Sequence, residues 1–386
     1  MLNKEKRIKI LMIATWYSPR SAKVMTAGVF HYEQSMALKK YADVALLFPY
    51  DTEISGRVSK KMENGLLTYR CSAASKNPLA AFDEIYRAGK KVIEDFKPDI
   101  IHAHVAQGAG HLAYALSKWS KIPYMITEHS PIEQSNLDKK TVRLMTNQVY
   151  KNSVANVCVS GDSMQRLGEF FPKCNFQVIY NGIINPGTLE DDGIEYRVKG
   201  MTNALITAAF YDKSIKGYQY LLPAMKKLKE EGILIVLHIC GGGEYLDYYK
   251  NMAKELGIDS RVIFYGQCDR KKVYSIMRQM DFSISASEFE CSGVSVQEAM
   301  LQGNPMLVTR SGGANSLVTD KTAIVVDRKN IDALAEGMKE MIGRLDSFDR
   351  DVIRDYAEEN FEIDNVSKRY MELYRSIIGI GDKADE

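Results

Sequence analysis

Short apolar runs alternate with amphipathic stretches along the whole chain. In the first half the runs are "IKILMIAT", "ADVALLF", "DIIHAH", "IPYMITE", "VANVCVS" and "FQVIY". They have strand length and little polar alternation, as expected of strands buried on both faces of a sheet. Between them lie "GVFHYEQSMALKK", "AAFDEIYRAGKKVIEDF", "GHLAYALSKW" and "DKKTVRLMTNQVYKN", which read as helices. The alternation predicts parallel βαβ units with helices on both faces. It breaks at "NGIINPGTLEDDGIEYRVKG", which has glycines, a proline, an acidic cluster and no period. It then resumes with "NALITAAF", "ILIVLHIC", "RVIFYG", "DFSISAS", "NPMLVT" and "TAIVV". The expectation is an α/β chain of two doubly wound Rossmann-like domains facing a central cleft. The first spans 1–185, a linker 186–202, the second 203–360, and a C-terminal helix 361–386 packs back toward the first. In such sheets ligands bind beyond the carboxyl ends of the strands.

At 386 residues the chain suits two domains. Its 45% apolar and 26% charged residues are those of a globular protein, and no apolar run reaches the ~20 residues of a membrane span. The basic start and short apolar run at the N-terminus read as a first strand rather than a signal peptide. Six scattered cysteines, with no CxxC pair, indicate neither a zinc site nor a disulfide framework, and a reducing cytoplasm is expected. The net charge of +2 hides an asymmetry. Residues 1–185 hold 25 Lys+Arg against 16 Asp+Glu, an excess of +9, and the remainder carries −7. A basic half suits phosphates or an anionic surface.

The stretch "DFSISASEFECSGVSVQEAMLQGNPMLVTRSGG" holds the candidate chemistry. A strand ends near Ser287 and a helix starts near Gly293, so Glu290 falls in the strand-to-helix loop and Glu298 in the helix. Glycine admits a ligand close to the backbone, and a helix start suits a phosphate. The flanking carboxylates accept hydrogen bonds from hydroxyls, as the sugars of a nucleotide-sugar offer. Gly241 and Gly243 in "HICGGGEYL" lack the spacing of a dinucleotide fingerprint and read equally as ligand contacts or as a tight turn.

From about Asn203 to Met341 the chain resembles the nucleotide-binding domain of retaining GT-B glycosyltransferases of family 4. The Glu-x7-Glu region and the "EAM…G.P…T..GG" run carry the match. "ILMIATWYSP", "KPDIIHAH", "TEHS" and "VIYNGI" extend it more weakly over the first half. The resemblance implies that Glu290 binds hydroxyls of the transferred sugar and Glu298 the ribose. Ser292, Gly293 and Val294 would face the diphosphate or sugar, and Lys216 in "SIKGYQYLL" would clamp the diphosphate. The family's arginine before that lysine is absent, and Lys213 is the candidate second cation. Ser316 stands where the family often has a glutamate. Gly28, in the sparse loop "SPRSAKVMTAG", would face the diphosphate and acceptor. His129 in "TEHS" would lie near the reacting sugar; His102 and His104 alternate along a strand, and His104 reads as packing or as support behind that site.

The only Asp-x-Asp triplet, Asp349-Arg350-Asp351, falls in an expected helix, so no metal ligand set is assigned. Lys216 and the helix N-terminus are expected to stabilise the leaving diphosphate. The implied activity is retaining, metal-independent transfer from a UDP- or GDP-type nucleotide-sugar, without a cofactor, to a glycan or lipid-linked glycan, in the manner of bacterial polysaccharide synthesis. Expected partners are the donor, the acceptor and an anionic membrane surface at the inner face, not nucleic acid. The alternative is a catalytically weak homologue acting as a nucleotide-sugar-binding or partner-binding subunit. A Rossmann dehydrogenase is disfavoured by the absent fingerprint.

Overall fold

Each apolar run named above becomes a strand in a computed structural model of the chain, which describes residues 7–18, 28–54, 56–130, 132 and 135–379. In chain order the first elements are β1 (Lys9–Ile13), α1 (Val29–Leu38), β2 (Asp43–Phe48), β3 (Ser59–Glu63), β4 (Leu66–Arg70), α2 (Pro78–Phe96) and β5 (Ile100–His104). Next come α3 (His111–Ser120), β6 (Tyr124–Glu128), α4 (Lys140–Asn152), β7 (Ala155–Cys158), α5 (Gly161–Phe170) and β8 (Gln177–Val178). The sheet runs β3-β4-β2-β1-β5-β6-β7-β8. Strands β1, β2 and β5 are buried almost throughout because side chains on both faces meet helices. Leu11 and Ile13 join one core, with α2 and α3, while Ile10 and Met12 join the other, with α1.

The all-parallel expectation is corrected at one edge. β3 pairs antiparallel with β4 through a turn with Asn64 at φ 46° and Gly65 at φ 82°. Periodicity misses β3 because its "SKKME" residues lie at an exposed sheet edge with no buried face. The Asn-Gly pair was the available signal, since a two-residue hairpin turn needs positive φ at both positions.

The second set comprises β9 (Thr202–Thr207), α6 (Tyr218–Glu230), β10 (Ile235–Cys240), α7 (Leu246–Glu255), β11 (Val262–Gly266), α8 (Arg270–Arg278) and β12 (Phe282–Ser285). It continues with α9 (Val294–Leu301), β13 (Met306–Thr309), β14 (Ala323–Val326), α10 (Ile331–Arg344) and α11 (Arg350–Phe361), and α12 (Ile363–Ile378) follows. Its sheet, in the order β11-β10-β9-β12-β13-β14, is parallel throughout.

The described residues divide into two units. One runs to Gly182 and regains the chain from Ile363; the other is Ile183–Glu362. The aperiodic stretch after β8 is bonded to the second unit, through Asp192 N–H to Ser275 Oγ at 2.9 Å and the Arg197–Asp281 ion pair at 2.9 Å. Helix α12 buries Val366, Tyr370, Met371 and Tyr374 in the first unit's core. Lys40 and Tyr41 hold its first turn through Asp364. In each sheet the strand order reverses beside one strand, between β1 and β5 and between β9 and β12, and ligand crevices form at such points.

Candidate active site

In the second unit the chain beyond β12 is fastened before it reaches α9. Thr309 Oγ1 donates to the Ser287 carbonyl at 2.6 Å. Glu290 N–H donates to Ser311 O at 2.9 Å, and Gly313 N–H donates back to Glu290 O at 2.7 Å. A Cβ on Gly313 would stand 2.3 Å from the Cys291 carbonyl, so the double-glycine loop lies directly on the Glu290 segment. Gly293, at φ 86°, turns the chain into α9 and supplies no capping side chain. The first N–H groups of that helix thus receive no side-chain oxygen from their cap, a polarity suited to anions.

Lys216 reaches the same place from the β9–α6 loop. The Asp212 carboxylate accepts N–H bonds from Ser214 and Ile215 at 2.7 and 2.9 Å, and these bonds hold its pKa below the usual carboxylate value. Glu288 N–H donates to Ile215 O at 2.7 Å. Gly217, at φ 73°, lies against Ala286, where a Cβ would come within 1.9 Å of the carbonyl oxygen. So fixed, the Lys216 ammonium donates to Glu290 Oε1 at 2.7 Å, and Ser287 Oγ donates to the same oxygen at 2.7 Å. The pair keeps partial access to solvent, with Lys216 29% and Glu290 16% exposed. The structure therefore brings together two residues 74 positions apart. Glu298 sits partly buried on α9, where Tyr274 of α8 donates to it at 2.8 Å. Ser292 is buried and Val294 exposed.

The other candidates are placed as follows. Gly241 and Gly243 back onto the segment leaving β9; a Cβ on them would meet Ala208 O at 2.0 Å and Phe210 C at 2.4 Å, so close packing alone demands glycine. Lys213 is exposed, its ammonium 4.4 Å from the Tyr248 ring centroid. Ser316 Oγ donates to Gly313 O at 2.7 Å and closes the loop there. Asp349 caps α11 and Asp351 pairs with Arg354, so both triplet carboxylates have local structural roles. Sequence reasoning missed Ser287, Tyr274 and Glu288. The last accepts from Gln219 and Tyr220 and pairs with Lys329 beside the Lys216 loop. Hydroxyls and an acid inside apolar runs carry no spacing signal.

In the first unit, Gly28 takes φ 66° as the cap of α1, and a Cβ there would stand 2.5 Å from Trp16 O. The preceding loop residues 19–27 lie outside the described residues. His129 follows β6 and meets His104 Nδ1 through Nε2 at 2.9 Å. His102 lies fully buried between Tyr374 OH and Thr127 Oγ1, both at 2.7 Å. Burial, and secondarily repulsion from His129, lowers the His102 pKa to about 3; burial lowers that of His129 to about 3. Glu128, also unforeseen, accepts from Ala106 N–H at 3.0 Å, Ser130 N–H at 2.8 Å and Tyr150 OH at 2.7 Å. It pins the turn after Val105, whose φ of 79° is strained for a β-branched residue. A cavity of about 280 Å³ opens here, lined among others by Thr15, Gln107, Glu128, Thr146 and Tyr150.

Residues 197–358 match the family described as glycosyl transferases group 1, and residues 65–184 match glycosyltransferase family 4. A Methanocaldococcus jannaschii glycosyltransferase is 26% identical over 72% of this chain and 75% of its own. The alpha-monoglucosyldiacylglycerol synthase of Streptococcus pneumoniae is 24% identical over 78% of this chain and 73% of its own. In fold the chain is similar to the HepE protein of Anabaena, solved in complex with UDP, with a TM-score of 0.75 at 16% identity over 96% of this chain and all of that one. With both family matches falling on the two units, the chain belongs to the GT-B glycosyltransferases of family 4.

Proposed function

We propose that the protein transfers a sugar, with retention of configuration, from a UDP- or GDP-type nucleotide-sugar to a glycan or lipid-linked glycan, as in bacterial polysaccharide synthesis. The observation that carries this reading is the Lys216–Glu290–Ser287 contact at the end of β12, beside the side-chain-free start of α9. The complex of the Anabaena relative with UDP supports the donor class. On this reading Lys216 leaves Glu290 for the diphosphate when donor arrives, and Glu290 turns to the sugar hydroxyls. Glu298 holds the ribose; Ser292, Gly293 and Val294 face the diphosphate. The ammonium and the helix start stabilise the departing charge in place of a divalent ion. Lys213, Gly241, Gly243 and Gly28 shape the donor's surroundings, and His129 adjoins the sugar.

The named lipid product of the pneumococcal relative supports a lipid-linked acceptor. Among the described residues no helix is long and apolar enough to cross a membrane. Leu144 and Met145 of α4 are 55% and 59% exposed, and Lys139, Lys140, Arg143 and Lys151 are exposed with them. That combination suits a cytoplasmic protein resting on an anionic leaflet.

The test is release of nucleoside diphosphate from UDP- and GDP-hexoses in buffer free of Mg²⁺ and Mn²⁺, with the anomeric configuration of the product read by NMR. Turnover that requires either ion, or an inverted product, contradicts the mechanism. A second reading, a nucleotide-sugar-binding subunit with little turnover, is favoured by one observation. Where the family's arginine would add a cation, Asp212 caps the loop and Lys213 lies over Tyr248. Tight donor binding without release in the presence of acceptor extracts would establish it.

A further inference from the structure

Three histidines from three separate elements of the first unit converge: His31 in the first turn of α1, His104 at the end of β5 and His129 just after β6. One ring nitrogen of each lies within 4.8 Å of one from each of the others. The ring centroids of His31 stand 4.4 Å from His104 and 5.5 Å from His129, and those of His104 and His129 are 5.1 Å apart. His31 and His104 are fully buried. Among the described residues neither ring nitrogen of His31 has a hydrogen-bond partner, and His104 is engaged only through Nδ1, by His129. Two other interior histidines have both ring nitrogens engaged, whereas His111 leaves Nε2 without a partner among the described residues. His102 engages Tyr374 and Thr127, and His238 engages Tyr265 and Asn203. Buried polar atoms are normally paired, so a fully buried imidazole with neither nitrogen engaged, set against two others, points to a missing ligand.

We propose that His31, His104 and His129 form a binding site for a borderline divalent cation of the Zn²⁺ class. Three imidazoles and no carboxylate suit Zn²⁺, Co²⁺, Ni²⁺ or Cu²⁺, whereas Mg²⁺ and Ca²⁺ take oxygen ligands. Imidazole ligates zinc at about 2.0–2.1 Å, which sets tetrahedral nitrogen separations near ~3.3 Å. The His104 Nδ1–His129 Nε2 contact of 2.9 Å opens slightly to that separation, the bridging proton moving to the far nitrogen of its own ring, while His31 draws inward. Burial lowers the pKa of all three rings, which keeps them neutral and able to ligate. Three protein ligands leave a fourth position for a water. The aromatic rings of Trp16 and Phe30 beside His31 supply the apolar wall. The site lies in the first unit and is separate from the role given to Lys216.

The test uses the full chain without a histidine tag, equilibrated with Co²⁺ and freed of excess ion by gel filtration. The expected result is about one Co²⁺ per chain, with the intense visible bands of four-coordinate Co²⁺, displaced by Zn²⁺. His31→Gln and His104→Gln should each weaken retention by about tenfold or more. Failure of the wild type to retain Co²⁺, or weak six-coordinate bands, overturns the proposal, as does equal retention by folded variants. If neither variant folds, the wild-type spectrum and stoichiometry decide alone.

Discussion

The strand ends of the two units meet the same topological demand with opposite chemistry. In the second unit the end of β12 holds a lysine and a carboxylate in contact, both reachable by water. In the first, the end of β5 holds buried imidazoles and the end of β6 a half-buried one, all kept uncharged by desolvation. Yet the first half of the sequence carries the +9 excess and the remainder −7. Net charge therefore does not locate the proposed anion site. The excess lysines of the first unit lie on exposed surfaces such as β3 and α4, while one lysine, held by a capped loop, equips the acidic half. A single cation fixed at the site outweighs many screened ones spread over exposed surfaces.

The largest expected effect comes from acid. His31, His102, His104 and His129 all have folded pKa values below the unfolded 6.5, so the unfolded chain binds more protons between pH 6.5 and about 3. Their contribution is fully present above pH 6.5 and is lost as pH falls, at about 1.4 kcal/mol per pH unit per proton. Protons taken up by these groups on unfolding weigh against a stability of about 5–15 kcal/mol, so the first unit should unfold in acid before the second. The second unit has one comparable histidine, His238, lowered to about 4. Both tryptophans, Trp16 and Trp119, belong to the first unit and report on it alone. Their fluorescence, measured in chelator, should change at higher pH than the bulk of the far-ultraviolet ellipticity. A tryptophan signal still native at pH 4 would break the contrast.

Lys216→Ala comes next, with turnover falling by about two or more orders of magnitude while stability changes little. Nucleoside diphosphate release against a urea unfolding curve measures both. Gly217→Ala forces a Cβ onto the Ala286 carbonyl and should cost about 2–3 kcal/mol of stability, read as a lower urea midpoint. Glu298→Gln should weaken nucleotide binding by about 1.5–3 kcal/mol, whereas Glu290→Gln spares free nucleotide and lowers turnover. Calorimetry with UDP and GDP separates the two, and identical affinities for both variants would erase the assigned division of labour. The smallest effect is at α4. Reversing Lys139 and Lys140 should reduce sedimentation with anionic vesicles by at most about 1 kcal/mol per charge, only at low salt.

Much of this was legible in the chain. Every strand of the second unit appeared as an apolar run, the inner strands β9, β10, β12 and β13 because they are buried almost throughout, and the Glu290–Glu298 region sits in one continuous strand-loop-helix segment whose order is local. The β3–β4 hairpin was not visible as strands: β3 is an edge strand with no buried face and so no hydrophobic period, and the buried positions of β4 include the polar Thr68 and Arg70. Nor were Ser287, Tyr274, Glu288 and Glu128, which act through partners that are distant in sequence and differ from one position to the next.

The sequence by itself determined the alternation of elements, the break between two α/β repeats and the position of a glycine-flanked acid pair at a helix start. These depend on burial pattern and backbone preference over a few residues. The tertiary structure decided what meets what. It set Lys216 against Glu290 across 74 positions, and it drew His31, His104 and His129 together from a helix, a strand and the segment after another strand. Such contacts arise only when separate strands are laid in register and helices are packed across them. A distance of a few ångströms between side chains far apart in the chain is a property of that packing, and local pattern does not encode it.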